Sequence, residues 1–284
     1  MIVVTGSTGH VGGLVAAELA ARGERMRLLV RDSARAPAIA GAEVVEADYG
    51  DAASLAGALH EGDRVFMVSV HEGPERRIPL HRSFVEAAAR SRVGQVVYLS
   101  FLEAASDAIF LHARSHGATE QMLQRSGLPW TSIRNGMYAD DIPGWFDPDG
   151  VAREPGGDGR MSFSYRAELA RAIAVTLTEP GHDGKVYDIV APEPVRLAEL
   201  ARIAAEVTGR PYRYEPASHE DWDERWRAAG RTGWELESGL SSFDAQVAGE
   251  LDVVTDDFRL LTGKEPLSIR DVIARELDTM PLRG

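Results

Sequence analysis

The chain opens with a β-branched run and a glycine-rich turn, Ile2-Val3-Val4-Thr5-Gly6-Ser7-Thr8-Gly9-His10-Val11-Gly12. The apolar run predicts a buried strand, and the residues after the turn predict a helix that ends near Gly23. The three glycines between these elements have the spacing G-x-x-G-x-x-G. In that context Gly6 allows a tight turn, Gly9 lets the backbone approach a pyrophosphate, and Gly12 lets the helix pack closely on the strand. The stretch therefore favours a dinucleotide-binding unit over an ordinary βα turn, with the anion at the helix N-terminus.

Composition narrows the class of protein. The chain has 284 residues, of which 44% are hydrophobic, and a net charge of −13 at pH 7. This acidity argues against nucleic acid and anionic membranes as partners. Cysteine is absent, so disulfides and thiolate metal sites are excluded, and we expect no metal. Because no long apolar run occurs and the first strand begins at Ile2, we expect a cytoplasmic protein without a signal peptide. We also expect a monomer or homodimer.

Buried strands and helices alternate through the first half of the chain. After Ile2, strands are predicted at Met26–Val30, Ala42–Ala47, Arg64–Val70, Gln95–Ser100 and Pro129–Arg134, with helices at Ala53–Leu59, Leu80–Ala89 and His112–Ser126. This alternation predicts an α/β fold with a Rossmann-type, doubly wound parallel sheet. Ligands of such sheets bind at the carboxyl ends of the strands. The residues there are Gly6 to Gly12, Arg31, Asp48, Ser69 and Ser100.

The second half predicts a small α+β lobe. We expect an NAD(P)-binding domain over residues 1–138, then a mainly substrate-binding lobe over 139–284 from which some segments return to the sheet. A Gly/Pro-rich loop at Ala139–Arg160 marks the change. The elements predicted after it are helices at Arg166–Thr178, Leu197–Thr208 and His219–Arg227, one short helix within Phe258–Leu277, and strands at Lys185–Val190 and Tyr212–Glu215. Trp222 and Trp226 pack on this lobe or line a lid over an aromatic substrate.

The end of the second strand bears on the choice of dinucleotide. In this fold an acidic residue there binds the ribose 2′-hydroxyl, whereas arginine accommodates a 2′-phosphate. Arg31 comes first and Asp32 follows it. The order favours NADPH and leaves NADH possible.

Five short segments carry a likeness to a known family. The chain resembles the NmrA-like branch of the atypical short-chain dehydrogenase/reductases, and within it the type 2 NADPH:quinone oxidoreductases. The resemblance implies NADPH contacts at Gly6, Ser7, Thr8, Gly9, His10, Val11, Arg31 and Ser69, with Asn135 to Tyr138 near the nicotinamide. The segments are Thr5-Gly6-x-x-Gly9-x-x-Gly12, Val30-Arg31, Ala47-Asp48-Tyr49-Gly50-Asp51, Arg134-Asn135-Gly136-Met137-Tyr138 and Leu260 to Ser268.

One departure from that family concerns proton supply. The wider superfamily uses a Tyr-x-x-x-Lys pair, but no tyrosine here has a lysine four residues on, and the two lysines are Lys185 and Lys264. The segment His116 to Gln121 is similar to a helix in which these relatives often carry a lysine, and Gln121 stands at the position of that lysine. Tyr138, Ser100 and His116 are the candidate catalytic residues that remain, and His112 is a further candidate proton donor. His112 and His116 could also share a helix face, without the further ligands of a metal site.

The absence of the Tyr-x-x-x-Lys pair affects which carbonyl compounds can serve as hydride acceptors. Hydride addition to a saturated ketone leaves a basic alkoxide that needs a good acid, whereas a quinone gives a far less basic oxygen. We therefore expect an NAD(P)H-dependent reductase of a quinone or polycyclic aromatic ketone, with a place in secondary metabolism. A non-catalytic redox sensor of the NmrA type is the alternative, and a sugar epimerase is a more distant one.

Overall fold

Strands and helices alternate along the computed structural model, which describes residues 1–277. In chain order the strands are β1 (Ile2–Thr5), β2 (Met26–Val30), β3 (Ala42–Glu46), β4 (Arg64–Met67), β5 (Gln95–Phe101), β6 (Trp130–Asn135), β7 (Met137–Tyr138), β8 (Val151–Ala152), β9 (Arg160–Met161), β10 (Phe163–Ser164), β11 (Lys185–Ile189), β12 (Val195–Arg196) and β13 (Arg213–Tyr214). The helices are α1 (His10–Ala21), α2 (Ala52–Ala58), α3 (Pro74–Arg90), α4 (Leu111–Arg125), α5 (Arg166–Thr178), α6 (Leu197–Thr208), α7 (His219–Ala228), α8 (Trp234–Ala248), α9 (Asp257–Thr262) and α10 (Ile269–Glu276). Two 3₁₀ helices span Ser33–Arg35 and Ala139–Trp145.

Seven parallel strands form the central sheet, in the order β11-β6-β5-β4-β1-β2-β3. Helices cover both faces, because residues on alternate positions of each strand face opposite sides. On one face Val4 and Val97 pack against α1 and α5. On the other face Val3 and Tyr98 pack against α2, α3 and α4. The predicted doubly wound Rossmann-type sheet is confirmed.

The later part of the chain forms a smaller lobe with its own core. Three two-stranded pairs, β7 with β10, β8 with β13 and β9 with β12, stand between the sheet and helices α6, α7, α8 and α10. Two elements return to the sheet: β11 pairs with β6, and α5 packs on α1. The division near residue 138 stays a prediction, and its last segment, 278–284, lies outside the described residues.

Several predicted boundaries are wrong. Helix α3 begins at Pro74, and the Pro79 in its interior does not end it. The loop over 139–160 contains a 3₁₀ helix and β8. The segment Phe258–Leu277 holds two helices, α9 and α10, and not one.

Helix α8 has no counterpart among the predicted elements. Its apolar pattern is interrupted by Gly239 and serines, whose hydroxyls donate back to carbonyls three residues earlier, as Ser241 does to Ser238 O at 2.8 Å. Such back-bonding residues are poor helix signals in sequence. Within residues 1–277 no helix has the length and apolar character needed to cross a membrane.

Candidate active site

A cleft of about 380 Å³ lies at the carboxyl edge of the sheet. It is placed where β1 and β4 adjoin, the point at which the strand order changes direction. Such switch points are where open parallel sheets bind ligands. The predicted site residues that line the cleft are Gly6, Gly9, His10, Val11, Ser69, His116, Asn135 and Tyr138.

The glycine turn forms one wall of the cleft. Gly6 has a φ of +64°, and the Gly9 N–H donates to its carbonyl at 2.9 Å. A Cβ on Gly12 would lie 2.2 Å from Gly6 O, so α1 can pack on β1 only because Gly12 has no side chain. Gly9 is the N-cap residue of α1 and supplies no side-chain cap. The first N–H groups of the helix are therefore available to an anion.

Two buried hydroxyls and an open glycine indicate that the turn fits a dinucleotide. Among the described residues, Ser7 Oγ in the turn and Ser69 Oγ at the cleft wall are buried without a hydrogen-bond partner, an arrangement that is costly unless a ligand or water satisfies it. A Cβ on Gly9 would meet nothing closer than Gly6 O at 3.4 Å. Protein packing therefore does not require glycine at position 9, whereas close approach of a phosphate does.

The turns after β2 and β3, where the sequence predicts the adenosine end of the dinucleotide, lie outside the cleft lining. Arg31 is exposed. The Asp32 carboxylate accepts from Ala34 N at 3.0 Å and caps the 3₁₀ turn Ser33–Arg35. Asp48 similarly accepts from Gly50 N at 2.7 Å. Both carboxylates are engaged in turns, so the exposed Arg31, directly after β2, and the exposed Arg35, in the 3₁₀ turn, are the cations here that can contact a phosphate.

Tyr138 lines the cleft beside the 3₁₀ helix Ala139–Trp145. The Arg166 guanidinium lies 3.9 Å from the centroid of its ring, held there by hydrogen bonds of 2.8 and 2.7 Å to Asp141. Burial raises the pKa of Tyr138 to about 12, against the opposing effect of the Arg166 charge. Tyr138 is therefore a hydrogen-bond donor to a ligand, and a weak acid.

The other two candidate acids are placed less favourably. Leu99 and Phe101 line the cleft, so Ser100 between them points to the opposite face of β5. Ser100 is fully buried and its Oγ has no partner within residues 1–277. His116 does line the cleft, but burial, and after it the charge of Arg77, holds its pKa well below the usual value. A neutral imidazole can relay a proton, but it has no extra proton of its own to donate as a general acid.

A buried polar network connects α3, β5 and α4 beneath the cleft. Tyr98 Oη lies 2.8 Å from His116 Nδ1. The Val70 N–H donates to His81 Nε2 at 3.1 Å, which leaves the proton of a neutral ring on Nδ1, 2.9 Å from Thr119 Oγ1. Burial lowers the pKa of His81 to about 3 and raises that of Tyr98 to about 12. The network is thus uncharged at neutral pH apart from Arg77.

Neither Gln121 nor the two lysines belong to this site. Gln121 is exposed and lies in a surface groove between α3 and α4, away from the cleft. Lys185 begins β11 at the amino edge of the sheet, and Lys264 is exposed after α9. A lysine at position 121 would therefore not reach the cleft in this fold.

An aromatic chamber of about 280 Å³ continues the cleft into the smaller lobe. His71, Phe110, His112 and Met137 line both spaces. His112 stacks on Trp234 with 5.8 Å between ring centroids and 18° between planes. The remaining walls of the chamber are Trp222, Trp226, Arg231, Glu235, Leu236, Ser238, Gly239 and Ser242.

The packing role predicted for the tryptophans of α7 is seen for Trp222, whereas a lid over a substrate stays a prediction. Trp222 is 5% exposed, and a Cβ on Gly239 would lie 2.5 Å from its ring, so it packs directly on α8. Trp226 is half-buried, and its buried Nε1 has no partner among the described residues. Trp222 therefore anchors α7, while Trp226 lines the chamber with its Nε1 buried.

The contact of Trp222 with Glu154, which holds α7 in place, makes the stability of the protein depend on pH. Trp222 Nε1 donates to Glu154 Oε2 at 2.5 Å, and Arg225 lies 3.3 Å from the other oxygen. Burial nevertheless raises the pKa of Glu154 from 4.5 to about 7. The folded protein thus binds this proton more tightly than the unfolded chain, so stability falls as pH rises between these values and the loss is complete above the higher one.

We expect Glu154→Gln to reduce that loss. The variant keeps a hydrogen-bond acceptor for Trp222 but has no carboxyl group to ionise. Thermal unfolding between about pH 5 and 8 should show a shallower fall in Tm than in the wild type. Some fall remains in both proteins, since burial also raises the pKa of Glu168 to about 7. Identical pH profiles for the two proteins would contradict the expectation.

A family model described as NAD(P)H-binding matches residues 6–180. The chain belongs to this NAD(P)H-binding family. Quinone oxidoreductase 2 of Escherichia coli is 32% identical to it over 272 residues, 92% of each chain. An NmrA-like family domain-containing oxidoreductase, flvB of Aspergillus flavus, is 28% identical over 295 residues, 97% of this chain and 94% of that one. The resemblance to the NmrA-like oxidoreductases is confirmed.

Solved structures extend the likeness to the cofactor. The NADPH complex of the E. coli NADPH-dependent quinone oxidoreductase superimposes with a TM-score of 0.89 at 29% identity, over 98% of this chain and 100% of that one. A Citrobacter triphenylmethane reductase complexed with NADP(H) gives 0.88 at 29% identity, over 97% and 100%. This NAD(P)H-binding protein is accordingly an NAD(P)H-dependent oxidoreductase, and the expected NAD(P)H cofactor is confirmed.

Among the cleft-lining residues that the sequence analysis missed are His71, Arg77 and Arg166. Each is a polar residue in a segment that predicts only loop or helix, and no motif surrounds it. Arg166 could have been noticed, since it starts a strongly predicted helix soon after Tyr138. The other two are brought to the cleft by tertiary packing alone.

Proposed function

We propose that the protein transfers hydride from NADPH to neutral aromatic carbonyl acceptors, namely quinones or polycyclic aromatic ketones, including those of secondary metabolism. The observation that carries the proposal is the continuity of the cofactor cleft with the aromatic chamber through His71, Phe110, His112 and Met137. Flat aromatic rings bury well against such walls. Bound NADPH supplies the hydride.

The residues near the acceptor favour carbonyls that need little acid catalysis. Tyr138 has a raised pKa, His116 is neutral, and Ser100 is not among the residues that line the cleft. A reduced quinone oxygen is a weak base, and an aromatic ketone with a neighbouring hydroxyl can protonate internally. Saturated ketones would form a basic alkoxide that none of these groups readily protonates.

The acceptor class is tested by NADPH oxidation against menadione, an anthraquinone, a hydroxylated polycyclic ketone and cyclohexanone. We expect kcat/KM for the best aromatic acceptor to exceed that for cyclohexanone by about 100-fold or more, the usual contribution of an acid catalyst. Tight NADPH binding without turnover of any acceptor would contradict the proposal and favour a redox sensor.

The choice of NADPH is assigned to Arg31. We expect Arg31→Ala to raise the KM for NADPH by about 10- to 100-fold, as for loss of a charged hydrogen bond to phosphate, and to leave the KM for NADH unchanged. The matched controls are Arg35→Ala, in the next turn, and Arg22→Ala, whose guanidinium pairs with Glu18 at 3.0 Å on α1. A larger effect of Arg35→Ala, or an equal effect of Arg31→Ala on both dinucleotides, would overturn the assignment.

A further inference from the structure

Arg77 is a buried cation at the cleft. It lies on α3, is 2% exposed, and is among the cleft-lining residues. Its Nε donates to Val70 O at 2.9 Å and its Nη1 to Ser115 Oγ at 3.1 Å, with His116 Nε2 at 3.5 Å. All three partners are neutral. Burial lowers the pKa of Arg77 to about 10, which leaves the side chain charged at neutral pH.

Within residues 1–277 the other buried arginine, Arg27, and the half-buried Arg134 have carboxylate partners. Arg27 is 6% exposed and lies 3.0 Å from Asp63. Arg134 lies 2.6 Å from Glu120. Within residues 1–277 no carboxylate lies within ion-pair distance of Arg77. An unpaired buried charge costs several kcal/mol, so its position at the cleft calls for a function.

The surroundings of Arg77 do not neutralise it. Burial lowers the pKa of His112 to about 2 and that of His81 to about 3, and in each the Arg77 charge acts in the same direction. Since these rings are neutral, Arg77 supplies the charge at this end of the cleft. Its field is positive and is weakly screened by the low dielectric of the interior.

We propose that Arg77 determines acceptor specificity by charge: it favours acceptors whose oxygen becomes an anion and disfavours acceptors that are cations. This inference rests on the proposed function. Reduction of a quinone adds a hydride from NADPH, which becomes NADP⁺; the carbonyl π electrons move to the oxygen, which then takes a proton from water. A cationic dye is positively charged when it binds, so the positive field opposes its binding. It then accepts the same hydride at carbon and becomes neutral.

The turnover test compares Arg77→Met, which removes the charge at similar length, with Arg77→Lys, which keeps it. The acceptors are menadione, a neutral quinone, and malachite green, a cationic triphenylmethane dye. For Arg77→Met we expect kcat/KM to fall about tenfold or more with menadione and not to fall with malachite green. For Arg77→Lys the ratio of the two values should stay near that of the wild type. An equal change with both acceptors in Arg77→Met would show that Arg77 is structural only.

A binding test keeps this inference separate from the proposed function. Lawsone is a hydroxynaphthoquinone that is an anion at neutral pH, and menadione is its neutral counterpart. We expect Arg77→Met, but not Arg77→Lys, to lower the affinity for lawsone about tenfold or more relative to menadione. This result would support the role of Arg77 even if the wild type reduced no acceptor, which would refute only the proposed function. A weaker NADPH affinity with unchanged lawsone affinity would instead assign the charge to the cofactor.

Discussion

Gly12→Ala is expected to destabilise the fold, whereas Gly9→Ala is expected to leave stability almost unchanged and to weaken NADPH binding. The two substitutions add the same methyl group three residues apart. At Gly12 the new Cβ would lie 2.2 Å from Gly6 O and 2.8 Å from Thr5 O, both backbone atoms that cannot move without displacing β1. Overpacking against fixed atoms should cost about 3 kcal/mol or more in free energy of unfolding.

At Gly9 the added methyl group meets almost no protein. Gly9 has extended φ and ψ angles of −101° and 176°, which alanine adopts freely, and its Cβ would be 3.4 Å from Gly6 O. The free energy of unfolding should therefore change by less than about 0.5 kcal/mol. The methyl group would stand where the pyrophosphate approaches the helix N-terminus, so we expect the Kd for NADPH to rise about tenfold or more.

Urea unfolding followed by circular dichroism, and NADPH titration followed by fluorescence, separate the two effects. Equal destabilisation by both substitutions would refute the geometric distinction between the glycines. Wild-type NADPH affinity in Gly9→Ala would place the pyrophosphate elsewhere in the cleft.

Features encoded by neighbouring residues could be predicted from the sequence. The bounds of Arg166–Thr178 and Leu197–Thr208 were predicted correctly. The second of these ends at Gly209, whose φ of +68° is a common helix terminator. The β1–turn–α1 unit is likewise local, because each glycine acts on atoms a few residues away. Together these units suffice to determine the parallel sheet and the end at which it binds its cofactor.

Features that depend on tertiary packing could not be predicted. Arg77 lies in the polar segment before the helix predicted at Leu80–Ala89, and it is buried because α3 begins earlier and packs on α4, which brings Ser115 and His116 against it. Ser100 was predicted to end its strand, but β5 continues to Phe101, and Ser100 does not line the cleft although Leu99 and Phe101 on either side of it do. A single residue of register decides this, and no sequence pattern near Ser100 reports it.

Glu120→Met is expected to destabilise the protein by about 3–5 kcal/mol, because it removes one partner of a buried ion pair. Glu120 is 3% exposed, and its two carboxylate oxygens accept from Arg134 Nε at 2.9 Å and Nη2 at 2.6 Å. The pair connects α4 to β6, and its hydrogen bonds raise the pKa of Arg134. Loss of the carboxylate would leave the guanidinium partly buried, with Ala104 O at 3.4 Å as its remaining protein acceptor.

A double-mutant cycle tests whether the cost lies in the pair or in the packing. We expect Glu120→Met with Arg134→Met to be less destabilised than the sum of the single variants by about 2 kcal/mol or more, since the double variant leaves no charge unpaired. Free energies from urea unfolding give the coupling directly, and additive values would show that the side chains act as independent packing groups.

The ion pair is also close in sequence to residues of the cleft, because Arg134 precedes Asn135 and Glu120 follows His116 on the same helix. Because the ion pair links the elements that carry His116 and Asn135, we expect the single variants also to lower kcat/KM, while Gln121→Ala, on the exposed face of α4, should not.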